Sequence, residues 1–130
     1  MALAGIRIID LTDERGIYGT KLLADLGAQV IRPEGPEGDP LRNRGPFMKR
    51  DGDQISLWHS FFGSNRTFVS VDKADLVATQ ALQNLAEAAD IICVDGQTGL
   101  IDLEAAKAAN PALVVIELSS FGEGGPWANY

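Results

Sequence analysis

Apolar positions along the chain fall into short runs of adjacent residues, separated by stretches in which they recur at helical spacing. Residues 6–11, Ile-Arg-Ile-Ile-Asp-Leu, predict a first strand, with Thr12 and Asp13 placed to cap a following helix. Leu22, Leu23 and Leu26 share a helical face within residues 18–26, Gly27 stands where a helix takes a left-handed stop, and Val30 and Ile31 open a second strand over residues 29–32. Residues 35–54 show no periodicity and carry Pro36, Gly38, Pro40, Gly45, Pro46 and Gly52, so they predict a long loop of the kind compact domains reserve for function. Two helical turns are expected over residues 55–62 and a third strand over 67–71. A helix over 75–89 carries Leu76, Leu82 and Leu85 among alanines, with Asp72 or Asp75 at its start. Residues 91–94 read as a fourth strand, 95–99 as a turn-rich loop, and 103–109 as a short helix stopped at Asn110-Pro111. Residues 113–118 read as a fifth strand, which runs into the glycine-rich segment 119–126.

Regular alternation of strand and helix predicts an α/β fold: a doubly wound parallel sheet of about five strands with flanking helices. The uninterrupted apolar run at residues 113–116 implies a strand buried on both faces. In such sheets ligands bind beyond the carboxyl ends of the strands. Loops stand there after the first strand (Thr12 to Gly19), after the second (residues 35–54) and after the fifth (residues 119–126).

Composition changes this picture little. The 130 residues fit one domain, and 45% hydrophobic with 22% charged content is that of an ordinary globular chain. No apolar run approaches a membrane span, and the first residues show no leader pattern, so a cytoplasmic protein without a membrane partner is expected. A net charge of −7 opposes binding to nucleic acid, yet Arg42, Arg44, Lys49 and Arg50 concentrate positive charge after the second strand. They form either a solvated basic loop or a patch facing phosphate. The single cysteine, Cys93, lies in an apolar run and reads as a buried thiol. The single histidine, His59, sits among aromatic residues and reads as a packing residue.

Chemical signatures are mostly missing. A dinucleotide turn needs three spaced glycines after the first strand, whereas this chain has Gly16 and Gly19 with Asp13 and Glu14 where phosphates would approach. A P-loop and a histidine-cysteine metal cluster are absent from the sequence, and no metal is expected.

Several segments nonetheless form a specific pattern: residues 3–12, residues 22–34 with Leu-Ala-Asp-Leu-Gly-Ala-Gln-Val-Ile, Gly38-Asp39 with Arg42, Asn65-Arg66, Ala89-Asp90, Ala109-Asn110-Pro111, and residues 120–126. In register over the whole chain, this resembles the N-terminal portion of the family III CoA-transferases, which include formyl-CoA and carnitine CoA-transferases and α-methylacyl-CoA racemase. The resemblance implies a Rossmann-like domain over residues 1–130 that binds coenzyme A, as substrate or acyl-CoA thioester, at its strand ends. It places Glu14, Arg15 and Gly16 along the nucleotide or pantetheine, Glu34 and Arg42 beside the adenosine phosphates, and Ser119, Phe121 and Gly122 near the thioester. Asp95 falls in the loop that meets CoA, where the family's Glu-Asn-Phe-Arg-Pro-Gly is replaced by Val94-Asp95-Gly96-Gln97-Thr98-Gly99, with loss of an asparagine, an aromatic and an arginine.

The same resemblance implies transfer of CoA between carboxylic acids through an aspartate nucleophile that no residue of this chain matches, so no catalytic residue is assigned. The expected context is a homo-oligomer, a second chain or a missing C-terminal portion. Two alternatives stand beside this reading. One is a non-catalytic CoA-transferase-like domain that serves as an assembly or regulatory partner, and the other is a small α/β binding module unrelated to CoA.

Overall fold

A computed structural model describes residues 1–96, 99–122 and 124–128. The expected loop positions Gln97, Thr98 and Glu123 lie outside the described residues. Five strands form one parallel sheet: β1 (Arg7–Leu11), β2 (Gln29–Glu34), β5 (Arg66–Ser70), β6 (Ile91–Asp95) and β7 (Val114–Leu118), in the order β5-β2-β1-β6-β7. The chain winds outward from β1 through β2 to β5, crosses back, and winds the other way through β6 to β7. The switch point therefore lies between the carboxyl ends of β1 and β6, where a doubly wound sheet opens a crevice.

Adjacent strand residues point to opposite faces, so Ile8 and Ile9 in β1 enter two different cores. On one face Ile8, Val30 and Cys93 pack against Ala24 and Ala28, the first in helix α1 (Ile17–Asp25) and the second just beyond it. On the other, Ile9, Ile31, Ile92 and Val94 meet Ala86 and Ala89, within and just after α3 (Leu76–Glu87), and Ala106 of α4 (Leu103–Ala109). Small alanines on the helices let them sit close to the branched strand residues. The expected stop at Gly27 is present with φ +101°, and Asp75 caps α3 by accepting from the amides of Val77 and Ala78.

Four expectations are corrected. Residues 35–54 are not all loop: β3 (Phe47–Arg50) and β4 (Asp53–Ser56) form an antiparallel hairpin turning at Asp51-Gly52, both in the left-handed region, after a short 3-10 turn, Pro40–Asn43. Consequently the expected helix at 55–62 begins later, as α2 (Leu57–Phe62), with Ser56 as its cap. Thr12 and Asp13 do not cap α1, because Thr12 turns inward onto Asp10 and Gly16 takes the cap position with no side-chain bond. Finally, β7 is not buried on both faces. It is an edge strand, and Val114 and Ile116 are 52% and 40% exposed on the face that α1 leaves uncovered. Among the described residues, no helix is long and apolar enough to cross a membrane.

Candidate functional site

Two clusters of charge form where β1 ends. The first is buried. Asp10, 1% exposed in the middle of an apolar strand, must have partners, since an unpaired carboxylate there would not stay ionised. It accepts from the amide and hydroxyl of Thr12 (3.1 and 2.7 Å), the hydroxyl of Thr20 (2.9 Å), Arg32 Nη1 (3.1 Å) and Arg66 Nη1. Arg32 donates further to the Thr12 carbonyl at 2.7 Å and to Asp39, whose other oxygen accepts from the Leu41 amide at 2.9 Å. Burial opposes the charge on Asp39, but the Arg32 guanidinium overrides it and holds the carboxyl below its usual range. Burial pulls the Arg66 guanidinium down, and its Nε has no hydrogen-bond partner among the described residues. This network stitches β1, β2, β5, α1 and the 3-10 turn together.

The second cluster spans the switch-point crevice. Arg15, in the turn after β1, donates from Nε to Asp95 Oδ2 at 3.0 Å and from Nη2 to Asp95 Oδ1, a two-pronged grip on the carboxylate at the end of β6. Its Nη1 donates to the Ser120 hydroxyl at 2.7 Å, so one side chain links the loops after β1, β6 and β7. Asp13 lies beside them. Burial, then the neighbouring Asp13, pushes the Asp95 carboxyl above its usual value. Partial burial also works against charge on Asp13, but hydrogen bonds with Asp95 and Arg15 hold it below.

Beneath Arg15 is a cavity of about 300 Å³. Leu23 of α1, Cys93 of β6 and Ile116 and Leu118 of β7 form its walls, and Gly19 its helical side. Cys93 is buried as expected, and burial raises its thiol pKa to about 11. Gly16 at the rim is sterically required, since a Cβ there would stand 2.5 Å from both Leu118 and Thr12.

Glu14 pairs with Arg44, which lies over the Trp58 ring at 5.4 Å, and Glu34 accepts from Arg42 at 3.0 and 3.2 Å and from the Asp39 amide at 2.9 Å. Within the basic run Arg42 and Arg44 thus carry carboxylate partners, whereas Lys49 and Arg50 are exposed on β3. The Ser119 hydroxyl accepts from the Gly122 amide at 2.9 Å, Gly122 sits at φ +79°, and Phe121 is exposed and rests against Trp127. His59 packs on Phe68, and burial followed by the Arg42 charge keeps its imidazole below the usual pKa.

Of the residues expected at the site, Arg15 and Asp95 meet directly, Ser119 and Gly122 share a turn next to Ser120, and Glu34 meets Arg42. The Glu14–Arg44 pair joins the loops after β1 and β2. The Asp10 network and the cavity were not anticipated. Asp10 carried one signal, a carboxylate inside an apolar strand, but its arginines lie 22 and 56 positions away.

The model of the CoA-transferase family III matches residues 3–130. Among curated relatives, the succinyl-CoA:(R)-benzylsuccinate CoA-transferase subunit BbsE of Thauera aromatica is 34% identical over 95% of this chain and 32% of its own length. The acetyl-CoA:oxalate CoA-transferase of Acetobacter aceti is 33% identical over 97% of this chain and 33% of its own. Among solved structures, a CAIB/BAIF family protein from Brucella suis superposes with a TM-score of 0.80 at 29% identity, over 97% of this chain and 35% of that one. The chain spans about a third of the length of these relatives. Sequence and fold agree over nearly the whole length of the chain, which belongs to CoA-transferase family III.

Proposed function

We propose that the loops after β1, β2 and β7 form part of a coenzyme A thioester site, in a protein that moves CoA between carboxylic acids through an aspartate not among these 130 residues. The observation that carries this reading is that Arg15, Arg42 and Arg44 all stand in the loops beyond the carboxyl ends of β1 and β2, with Arg44 paired to Glu14 across the two loops and Arg42 paired to Glu34. Each guanidinium holds a carboxylate that a phosphate or acyl carboxylate can replace, exchanging one charge-assisted contact for another. In this reading Glu14, Arg15 and Gly16 run along the nucleotide or pantetheine, Glu34 and Arg42 border the phosphates, and Ser119, Phe121 and Gly122 stand near the thioester. Asp95 marks the near edge. The setting is cytoplasmic, and the site is completed by further polypeptide, in the same chain or another.

Calorimetric titration with CoA at low and moderate salt tests it. Binding that weakens with salt, and about tenfold in Arg42→Ala, supports the nucleotide contact. A folded chain without detectable binding contradicts it. A second reading, a non-catalytic assembly partner, draws on the uncovered apolar face of β7 and on the description of one relative as a subunit. Restoration of transferase activity in a partner polypeptide by this chain, with no CoA bound to the chain itself, separates the two.

A further inference from the structure

The cavity at Arg15 is lined mainly by apolar side chains. Besides two glycines, the apolar Leu23, Cys93, Ile116 and Leu118 line it together with Thr12, Arg15 and Thr20. Its size of about 300 Å³ is at the lower end of the roughly 300–1,000 Å³ of small-molecule pockets. Gly19 is the odd residue. It stands inside helix α1, where glycine weakens a helix, and a Cβ built on it meets nothing within 4 Å. Gly19 is exposed on the cavity's helical side, so a larger side chain there has room to project over the cavity. At the rim, the geometry for gripping a carboxylate is already displayed, because Arg15 holds Asp95 with Nε and Nη2. Ser120 steadies the guanidinium from a third direction at 2.7 Å.

We propose that this cavity binds the apolar chain of a small organic carboxylic acid, whose carboxylate replaces Asp95 on Arg15. The inference rests on the CoA-transferase reading and narrows it: the acid side of the reaction is a monocarboxylate with an aliphatic or aryl tail, seated between α1 and β7. Asp95 is then, beside Asp13, an internal carboxylate that keeps the guanidinium paired when no acid is bound.

The test uses hexanoate, 1-hexanol and succinate as probes, with amide shifts of the isotope-labelled chain as the readout. Hexanoate is expected to saturate, moving amides of residues 15–23 and 116–118. Hexanol, equal in apolar length but uncharged, should bind at least about tenfold more weakly, as should hexanoate to Arg15→Gln. Gly19→Leu fills the cavity from a helix that it also favours, so it should keep or raise the melting temperature while abolishing hexanoate binding. Equal affinity for hexanoate and hexanol, preference for succinate, or unchanged binding in Gly19→Leu overturns the proposal, as does a failure of hexanoate to saturate. CoA titrated into the same Gly19→Leu protein keeps the two readings distinct. Hexanoate binding without CoA binding contradicts only the CoA reading, and CoA binding without hexanoate binding contradicts only this one.

Discussion

The two charge clusters at the end of β1 use the same side chains to opposite ends. Asp10 and Asp39 with Arg32 and Arg66 make a network whose charged groups are nearly inaccessible: the side chains of Asp10 and Arg66 are 0% exposed. Asp13 and Asp95 with Arg15 make a network open to solvent on one side, Arg15 being 49% exposed while Asp95 is 1% exposed. In the first, threonine hydroxyls, backbone amides and carbonyls take up most of the capacity left by the ion pairs, so no ligand could displace a member without stranding a buried charge. In the second, the arginine is half exposed and lines a cavity, so a ligand can reach it without entering the sheet. An arginine-aspartate pair is therefore not informative by itself. Whether its surroundings are closed or open decides between holding the sheet together and receiving a ligand.

Substitutions that remove one charge from each cluster sharpen this contrast. Asp10→Asn should have the largest effect, a loss of about 3–5 kcal/mol in urea unfolding, because two buried guanidiniums lose their shared counter-ion. A loss below about 1 kcal/mol would mean that the network is not what secures β1, β2 and β5 to one another.

Asp39→Asn should cost about 1.5–3 kcal/mol at neutral pH, the range for hydrogen bonds to a charged group. This loss depends on pH in a defined direction. The native carboxyl is depressed, so its contribution is fully present above the unfolded carboxylate pKa and is lost as pH falls through the lower native value. Unfolding curves of the two proteins should converge in acid, and parallel curves would contradict the assignment. Asp95→Asn should have the smallest effect, within about 1 kcal/mol, because its partner is half exposed and the charge on Asp95 is already opposed. A loss as large as that of Asp10→Asn would place the crevice cluster among the structural networks.

The open cluster was also the more legible of the two. Loops after strands announce themselves through glycine, proline and charge, and the resemblance to the family III CoA-transferases nominated Arg15, Asp95 and the Ser119–Gly122 turn within them. The strand and helix pattern was legible for the same reason, since Gly27 and Asp75 are local signals with local causes. What stayed hidden depends on distant pairing. Asp10 looks like one polar residue in a strand until β2 and β5 bring Arg32 and Arg66 beside it. The β3–β4 hairpin hid because every residue of β3 is exposed, so no alternation of apolar and polar positions marks it, and only Asp51-Gly52 signals the turn. The edge position of β7 was misread because an apolar run reports the strand and not what covers it.

The measurement that bears most directly on the central claim is amide shift mapping of the isotope-labelled chain during titration with CoA. If the strand-end loops form part of a thioester site, the perturbed amides cluster in residues 13–16, 34–42 and 119–122, while the amides around Asp10 and those of α3 and α4 stay unmoved. Perturbations centred on α3 and α4, or shifts scattered over the surface without saturation, would contradict the account.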